Sequence, residues 1–260
     1  MNTKQESPNQ VTVEFRKVEY HVPGSARDAI LSQITLKILR GDTLVLLGRS
    51  GSGKTTLLKL INGLLRATRG DVYVNGRAVA ESEPIALRRG IGYVIQDGGL
   101  FPHYSVMENV GLVPALEGWA ADRIAARVEE MMRLVGLEPR EYAGRKPREL
   151  SGGQRQRVGV ARALACDPPI LLMDEPFGAL DPVTRAELQR EFAELARRLG
   201  KTIVFVTHDL REALRLGTRI VLLCEGRIVA DTAPEKFLSV DHPEVKAFAA
   251  SFGVSNEARI

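Results

Sequence analysis

The sequence predicts an α/β fold: a parallel sheet with helices, an N-terminal antiparallel β subdomain and an inserted α-helical subdomain. Three observations carry that prediction. The apolar run Val45-Leu46-Leu47 leads through a glycine-rich loop into the apolar-periodic segment TLLKLINGLL, the order of a strand–loop–helix unit. The later runs ILLMD, TIVFVT and IVLLC alternate with helical patterns, as the strands of a parallel core do. Between these parts, from about Asp97 to Glu149, helical periodicity dominates, most clearly in RIAARVEEMMRLVGL.

The segments follow in order. MNTKQESPNQ is polar and reads as a frayed tail rather than a secretory leader. The opening third reads as antiparallel β structure, and Asn75-Gly76 between DVYV and RAVA is a two-residue hairpin signal. Ala120–Met132 and Arg185–Leu199 read as helices whose arginines are accompanied by acids, a solvated surface rather than a nucleic-acid stripe. The final DHPEVKAFAASFGVSNEARI reads as a short helix and a loose tail. The expected organisation is one domain over residues 11–240, with the helical subdomain at about 97–157, and a tail over 241–260.

The glycine-rich loop is Gly48-Arg49-Ser50-Gly51-Ser52-Gly53-Lys54-Thr55-Thr56, which fills every position of the P-loop pattern G-x-x-x-x-G-K-[ST]. Its glycines let backbone N–H groups turn inward around phosphate oxygens, where side chains would crowd them. The helix that follows adds its positive end. The ligand predicted is a nucleoside triphosphate, with Lys54 on the β- and γ-phosphates and the Thr55 hydroxyl on Mg²⁺.

A second motif, Ser151-Gly152-Gly153-Gln154, opens the helical run RQRVGVARALA. Unpaired N–H groups and a hydroxyl without bulk make it a second anion site. It lies about a hundred residues beyond the P-loop and just before ILLMDEP. Asp174 ends that apolar run, so its carboxylate is expected at the carboxyl edge of the sheet, where it can hold Mg²⁺. Glu175 is its neighbour.

In this order the motifs resemble the ATP-binding cassette (ABC) family, from about Val11 to Phe237. GRSGSGKTT looks like Walker A, Gln96 like the Q-loop glutamine, LSGGQRQR like the signature motif, ILLMDEP like Walker B, GALD with Asp181 like the D-loop, and His208 like the switch histidine. The resemblance implies a P-loop NTPase (RecA-like) core and a head-to-tail homodimer sharing two ATPs. Each ATP would lie between one P-loop and the Ser151-Gly152-Gly153 helix of the other copy. It further implies that Glu175 polarises the attacking water, that His208 contacts the γ-phosphate, that Gln96 joins Mg²⁺ or water, and that Asp181 meets the opposite P-loop. The family usually stacks an aromatic ring on adenine near the N-terminus; Tyr20 is the nearest candidate, although in many relatives the ring lies where this chain has Val22.

Composition narrows the process served. The net charge of +4 is a small difference between 36 basic and 32 acidic residues, which argues against a nucleic-acid partner. No apolar run reaches the 18 or so residues of a membrane span. Cys166 and Cys224 have no metal spacing and read as core residues of a protein in a reducing compartment. The spacing of about a hundred residues between P-loop and signature leaves no room for the long coiled coil of repair ATPases, and one cassette is not the two of translation-associated members. The resemblance therefore implies a transporter subunit on the cytoplasmic membrane face, with separate transmembrane permease chains and an extracytoplasmic solute-binding protein. LFPHYSVMENVGLVPALEGW, Leu100 to Trp119, is similar to importers of glycine betaine, choline, carnitine and other quaternary amines. Cassettes for amino acids, polyamines or lipids are the alternatives.

Overall fold

A computed structural model of the chain describes residues 10–24, 29–95, 99–178 and 180–253. Two compact units result: Met1–Leu87 with Ala196–Ile260, and Arg88–Leu195. The first begins with β1 (Val11–Tyr20), β2 (Leu31–Leu39), β3 (Thr43–Leu47), α1 (Lys54–Ile61), β4 (Arg69–Val74), β5 (Arg77–Ala78) and α2 (Pro84–Arg89), the last reaching into the second unit. Strands β2, β1, β4 and β5 form an antiparallel sheet in that order. The hairpin between β4 and β5 turns on Asn75 at φ 50° and Gly76 at φ 76°, two successive positive angles that match the twist of the flanking strands.

A bulge in β1 changes which of its side chains enter the core. Val13 and Phe15 are buried, and strict alternation would bury residues 17 and 19 next. Instead the pairing slips between Phe15 and Val18, with Lys17 at φ 48°. The side chains beyond the bulge swap faces, so Val18 and Tyr20 turn inward.

The second unit holds β6 (Ile91–Val94), α3 (Val106–Leu116), α4 (Ala121–Leu134), α5 (Pro139–Tyr142), α6 (Gly152–Leu164), β7 (Ile170–Asp174) and most of α7 (Pro182–Leu199). Strands β6 and β7 pair in parallel. Helices α3, α4 and α6 pack around Val110, Val128, Met132 and Val158, all at most 1% exposed. Polar groups close this interior. Arg127 of α4 donates from Nε to Ala165 O (2.8 Å) and from Nη2 to Leu164 O (3.1 Å), satisfying carbonyls at the end of α6. Asn109 is fully buried: its Oδ1 accepts from Phe101 N at 2.8 Å, and its Nδ2 donates to the carbonyls of Phe101 (3.1 Å), Tyr104 (3.2 Å) and Ser105 (3.0 Å).

The chain then re-enters the first unit with β8 (Thr202–Thr207), α8 (Leu210–Leu216), β9 (Arg219–Cys224), β10 (Arg227–Thr232), α9 (Pro234–Phe237) and α10 (Pro243–Ser251). Strand β3 lies between β8 and β9, parallel to both, and β10 pairs antiparallel with β9. Flanked on both edges and covered on both faces, all five residues of β3 are buried, which is why it reads as a continuous apolar run. Arg219 staples β9 to β10 through a two-point pair with Asp231 (2.6 and 2.5 Å) and donates to Lys37 O of β2 (2.7 Å).

Two outcomes follow. Asn109→Ala removes an acceptor oxygen and both N–H donors of a buried amide, so it is expected to lower unfolding free energy by about 2–4 kcal/mol in urea titrations. Burial, with a smaller contribution from the Asp174 charge, pushes the Tyr93 phenol of β6 up to about 12 from 10.0. Its folded value exceeds the unfolded one, so its stabilising contribution is intact below pH 10 and is lost as pH rises toward about 12. Tyr93→Phe is expected to flatten that part of the alkaline unfolding profile.

Candidate functional site

The residues singled out in the sequence divide between the two units. In the first, β3 ends at Leu47 and the chain turns through the P-loop into α1. The turn is tight because two glycines have no room for a side chain. A Cβ on Gly48 would lie 2.4 Å from Leu223 O and 2.6 Å from Ser52 Oγ, and one on Gly53 would lie 2.6 Å from Leu31 Cδ2. Gly53 also caps α1 at φ 100°, a left-handed angle natural to glycine.

No side chain caps α1, and its first turn carries no acid. The positive end of the helix therefore meets no capping side chain and no acid of its own first turn, which suits an anion. Lys54, 5% exposed, runs back along the loop and donates to Gly48 O (2.8 Å) and Arg49 O (2.9 Å). The Ser52 hydroxyl oxygen is buried without a hydrogen-bond partner. Thr55 and Thr56 are half-buried in the first turn of α1, while Arg49, Ser50 and Gly51 are exposed at the loop tip. A crowded backbone cradle, an uncapped helix start, a buried ammonium and an orphan hydroxyl together suit a phosphate chain.

Sequence reasoning missed the far wall of this loop. Leu223, Cys224 and Glu225 at the end of β9, with Glu244 and Phe248 of α10, line a cleft with Arg49 to Ser52. The only sequence signal was the turn Glu225-Gly226, whose first residue takes φ 46°. Burial, then the contact with Glu244, raises the Cys224 thiol. Both cysteines are half-buried rather than core residues: Cys224 sits at a strand end and Cys166 just past α6, where packing is incomplete.

His208 follows β8 and is exposed. Its neighbours fix the backbone there: the buried Thr207 hydroxyl donates to Glu212 at 2.6 Å, and Asp209 caps α8 by accepting from Arg211 N at 2.7 Å. Tyr20 has the bulge to account for its position. At 8% exposure its ring packs into the β subdomain instead of presenting a face for stacking, and the exposed apolar side chain nearby is Val22, at 45%.

In the second unit, Ser151 caps α6 through a reciprocal capping box: Ser151 Oγ accepts from Gln154 N (3.2 Å) and Gln154 Oε1 accepts from Ser151 N (2.9 Å). The hydroxyl keeps its proton to donate outward. Gly152 is half-buried, but Gly153 is a packing glycine, since a Cβ there would lie 2.6 Å from Thr184 Cγ2 of α7. Asp174 ends β7 at 6% exposure, beside the Tyr93 ring. Glu175 takes φ 44°, a strained angle for a residue with a side chain, and its carbonyl accepts from Gly178 N at 3.1 Å.

Asp181 caps α7, accepting from Val183 N (3.1 Å) and Thr184 N (3.0 Å); the Thr184 contacts hold its carboxyl below the usual range. Arg185 gathers the carbonyls of Phe177, Gly178 and Leu180. Gln96 lies outside the described residues.

These features can be set beside known proteins. The family profile described as ABC transporter matches residues 31–178. The glycine betaine/carnitine/choline transport ATP-binding protein OpuCA of Bacillus subtilis is 50% identical over 208 residues, 80% of this chain and 54% of that protein. The glycine betaine uptake system ATP-binding protein YehX of Escherichia coli K12 is 50% identical over 209 residues, covering 80% of this chain and 68% of that one. The chain spans about half the length of the first of these relatives. Among solved structures, a dimeric ATP-binding cassette in a post-hydrolysis state with ADP and Pi superposes with a TM-score of 0.77 at 33% identity, over 85% of this chain and 98% of that one. The cbiO1 cassette of Clostridium perfringens gives 0.80 at 26% identity, over 94% and 97%. The match covers the segment that holds the glycine-locked loop, the capped Ser151 helix and the Asp174-Glu175 strand end, and the chain belongs to the ABC transporter family.

Proposed function

We propose that this chain is the ATP-binding and ATP-hydrolysing subunit of a membrane importer for glycine betaine, choline, carnitine or related quaternary amines. The observation that carries ATP binding is the P-loop, with its uncapped α1, buried Lys54 and orphan Ser52 hydroxyl. The identities near 50% to ATP-binding proteins named for those solutes support the cargo class.

Among the described residues no three His, Cys, Asp or Glu side chains gather into a metal cluster. A Mg²⁺ would take part of its coordination from phosphate oxygens, with the Thr55 hydroxyl, the Asp174 carboxylate and Gln96 as the protein ligands. The ion supplies charge neutralisation as the γ-phosphate leaves. Lys54 binds the β- and γ-phosphates and orients them. Glu175 holds and polarises the water, and the strained backbone at that position is of the kind that clusters at functional sites. His208, exposed on a backbone pinned by its neighbours, contacts the γ-phosphate.

The Ser151-Gly152-Gly153 turn caps the phosphates held by a second copy, so two ATPs close a homodimer and hydrolysis reopens it. Among the described residues no helix is long and apolar enough to cross a membrane. In keeping with the transport ATP-binding proteins it resembles, the work is delivered to separate permease chains at the cytoplasmic face, supplied by an extracytoplasmic solute-binding protein. The permease docking surface is the loop that Asn109 pins, where Phe101 and Tyr104 are 48% and 39% exposed, with Met107 at the start of α3 beside it, 46% exposed.

Three measurements test this reading. Glu175→Gln is expected to keep ATP affinity, lower turnover by at least about 100-fold and accumulate a dimer in size-exclusion chromatography; unchanged turnover would remove Glu175 from its role. Lys54→Ala is expected to weaken ATP binding at least about tenfold by calorimetry, the loss of a charge-assisted contact. With its own permease and binding protein in proteoliposomes, the chain is expected to hydrolyse ATP faster when glycine betaine or choline is added. Stimulation only by an unrelated solute would overturn the cargo assignment.

A further inference from the structure

The turn at the start of α6 is held by a side chain that lies in none of the motifs. Gln154 Oε1 accepts from Ser151 N at 2.9 Å, so the direction of the Gln154 amide is part of the geometry at Ser151. The other end of that amide is fixed as well. Gln154 Nε2 donates to the phenol oxygen of Tyr142, the last residue of α5, at 3.2 Å. The amide group is planar, so a partner on Nε2 sets where Oε1 points.

Tyr142 is held in turn by what surrounds it. The Arg145 guanidinium lies 4.5 Å from its ring centroid and pairs with Glu141 at 2.9 Å. A helix of four residues has too few internal bonds to keep a direction alone. The backbone just beyond it supplies the anchor: the carbonyls of Ala143 and Arg145 accept from Met107 N (3.0 Å) and Val106 N (2.8 Å), at the start of α3. The phenol oxygen is thus a placed acceptor, half-buried beside α6.

We propose that Tyr142 is a positioning residue for the surface that Ser151 offers to the ATP of a second copy. Its phenol oxygen orders the Gln154 amide, and through it the Ser151 turn, before the two copies meet. This rests on the homodimer of the proposed function. Order set in advance lowers the entropic cost of closure, an effect on association of the copies and not on ATP binding at either P-loop.

Full-length chains carrying Glu175→Gln, which accumulate the dimer on ATP, supply the measurement. Sedimentation gives the dimer Kd in saturating ATP, and a fluorescent ATP analogue gives nucleotide affinity at chain concentrations too low for dimers. Adding Tyr142→Phe keeps the ring and removes the acceptor. It is expected to raise the dimer Kd at least about fivefold, since each dimer loses the bond twice, with nucleotide affinity and Tm unchanged. In chains that also carry Gln154→Met, Tyr142→Phe is expected to add nothing, because the two residues act through one bond. An unchanged dimer Kd, a loss that persists in full without Gln154, or a weakened dimer accompanied by a lowered Tm overturns the proposal and leaves the dimer standing. Glu175→Gln chains that form no dimer with ATP overturn the homodimer itself, and the role of Tyr142 with it.

Discussion

Burial of β3 between two parallel neighbours is the constraint from which the rest of the first unit follows. With every residue of Thr43–Leu47 buried, the chain can leave the sheet only at its carboxyl end. There it meets Leu223 O on one side and the Leu31 side chain on the other. Glycine is required at both contacts, Gly48 and Gly53, and the chain emerges into a helix that no side chain caps. The tight, uncapped turn, whose geometry suits an anion, is the by-product of packing a strand at the centre of a sheet. The same logic places Ile30, Leu31 and Glu225-Gly226 around the loop as walls, so the loop is supported by strands distant in sequence.

The second unit is governed by polar groups more than by its apolar interior. Arg127, Asn109, Arg157 and Arg185 each reach backbone carbonyls that helix ends and loops leave unmatched. Such groups are expensive to bury alone and specific when paired, so they fix loop paths that apolar packing would leave free. The loops they fix are those flanking the motifs: Arg185 sets the path after Glu175, and Asn109 that of Phe101–Ser105.

Much of this was legible in the sequence. The P-loop carries its geometry in its letters, since glycine spacing, lysine and threonine each have one physical reason to be where they are. The Asn75-Gly76 hairpin was legible for the same cause, as was the amphipathic α4, with its ends shifted by only a residue or two from the sequence reading. What escaped were features decided by distant contacts. The β1 bulge depends on Gly70 of β4, where a Cβ would lie 2.4 Å from the carbonyls of Arg16 and Lys17, and no pattern within β1 announces it. For that reason the sequence left Tyr20 as the nearest candidate for stacking on adenine, while the fold buries its ring. The left-handed Glu175 and the seating of α10 beside the P-loop also arise from tertiary packing, where Val245 and Phe248 bury a helix whose own pattern is weak.

The four bonds of Asn109 have a consequence for association. A loop that carries exposed aromatic side chains is normally free to sample many shapes, and a partner must then freeze it on docking. Here Phe101–Ser105 is frozen by the fold itself, so its backbone order is settled before any encounter. Preorganisation of that kind removes an entropic penalty from recognition. It also shifts discrimination between partners toward how long each one stays, because a rigid face meets all comers at similar rates and releases the ill-fitting ones sooner.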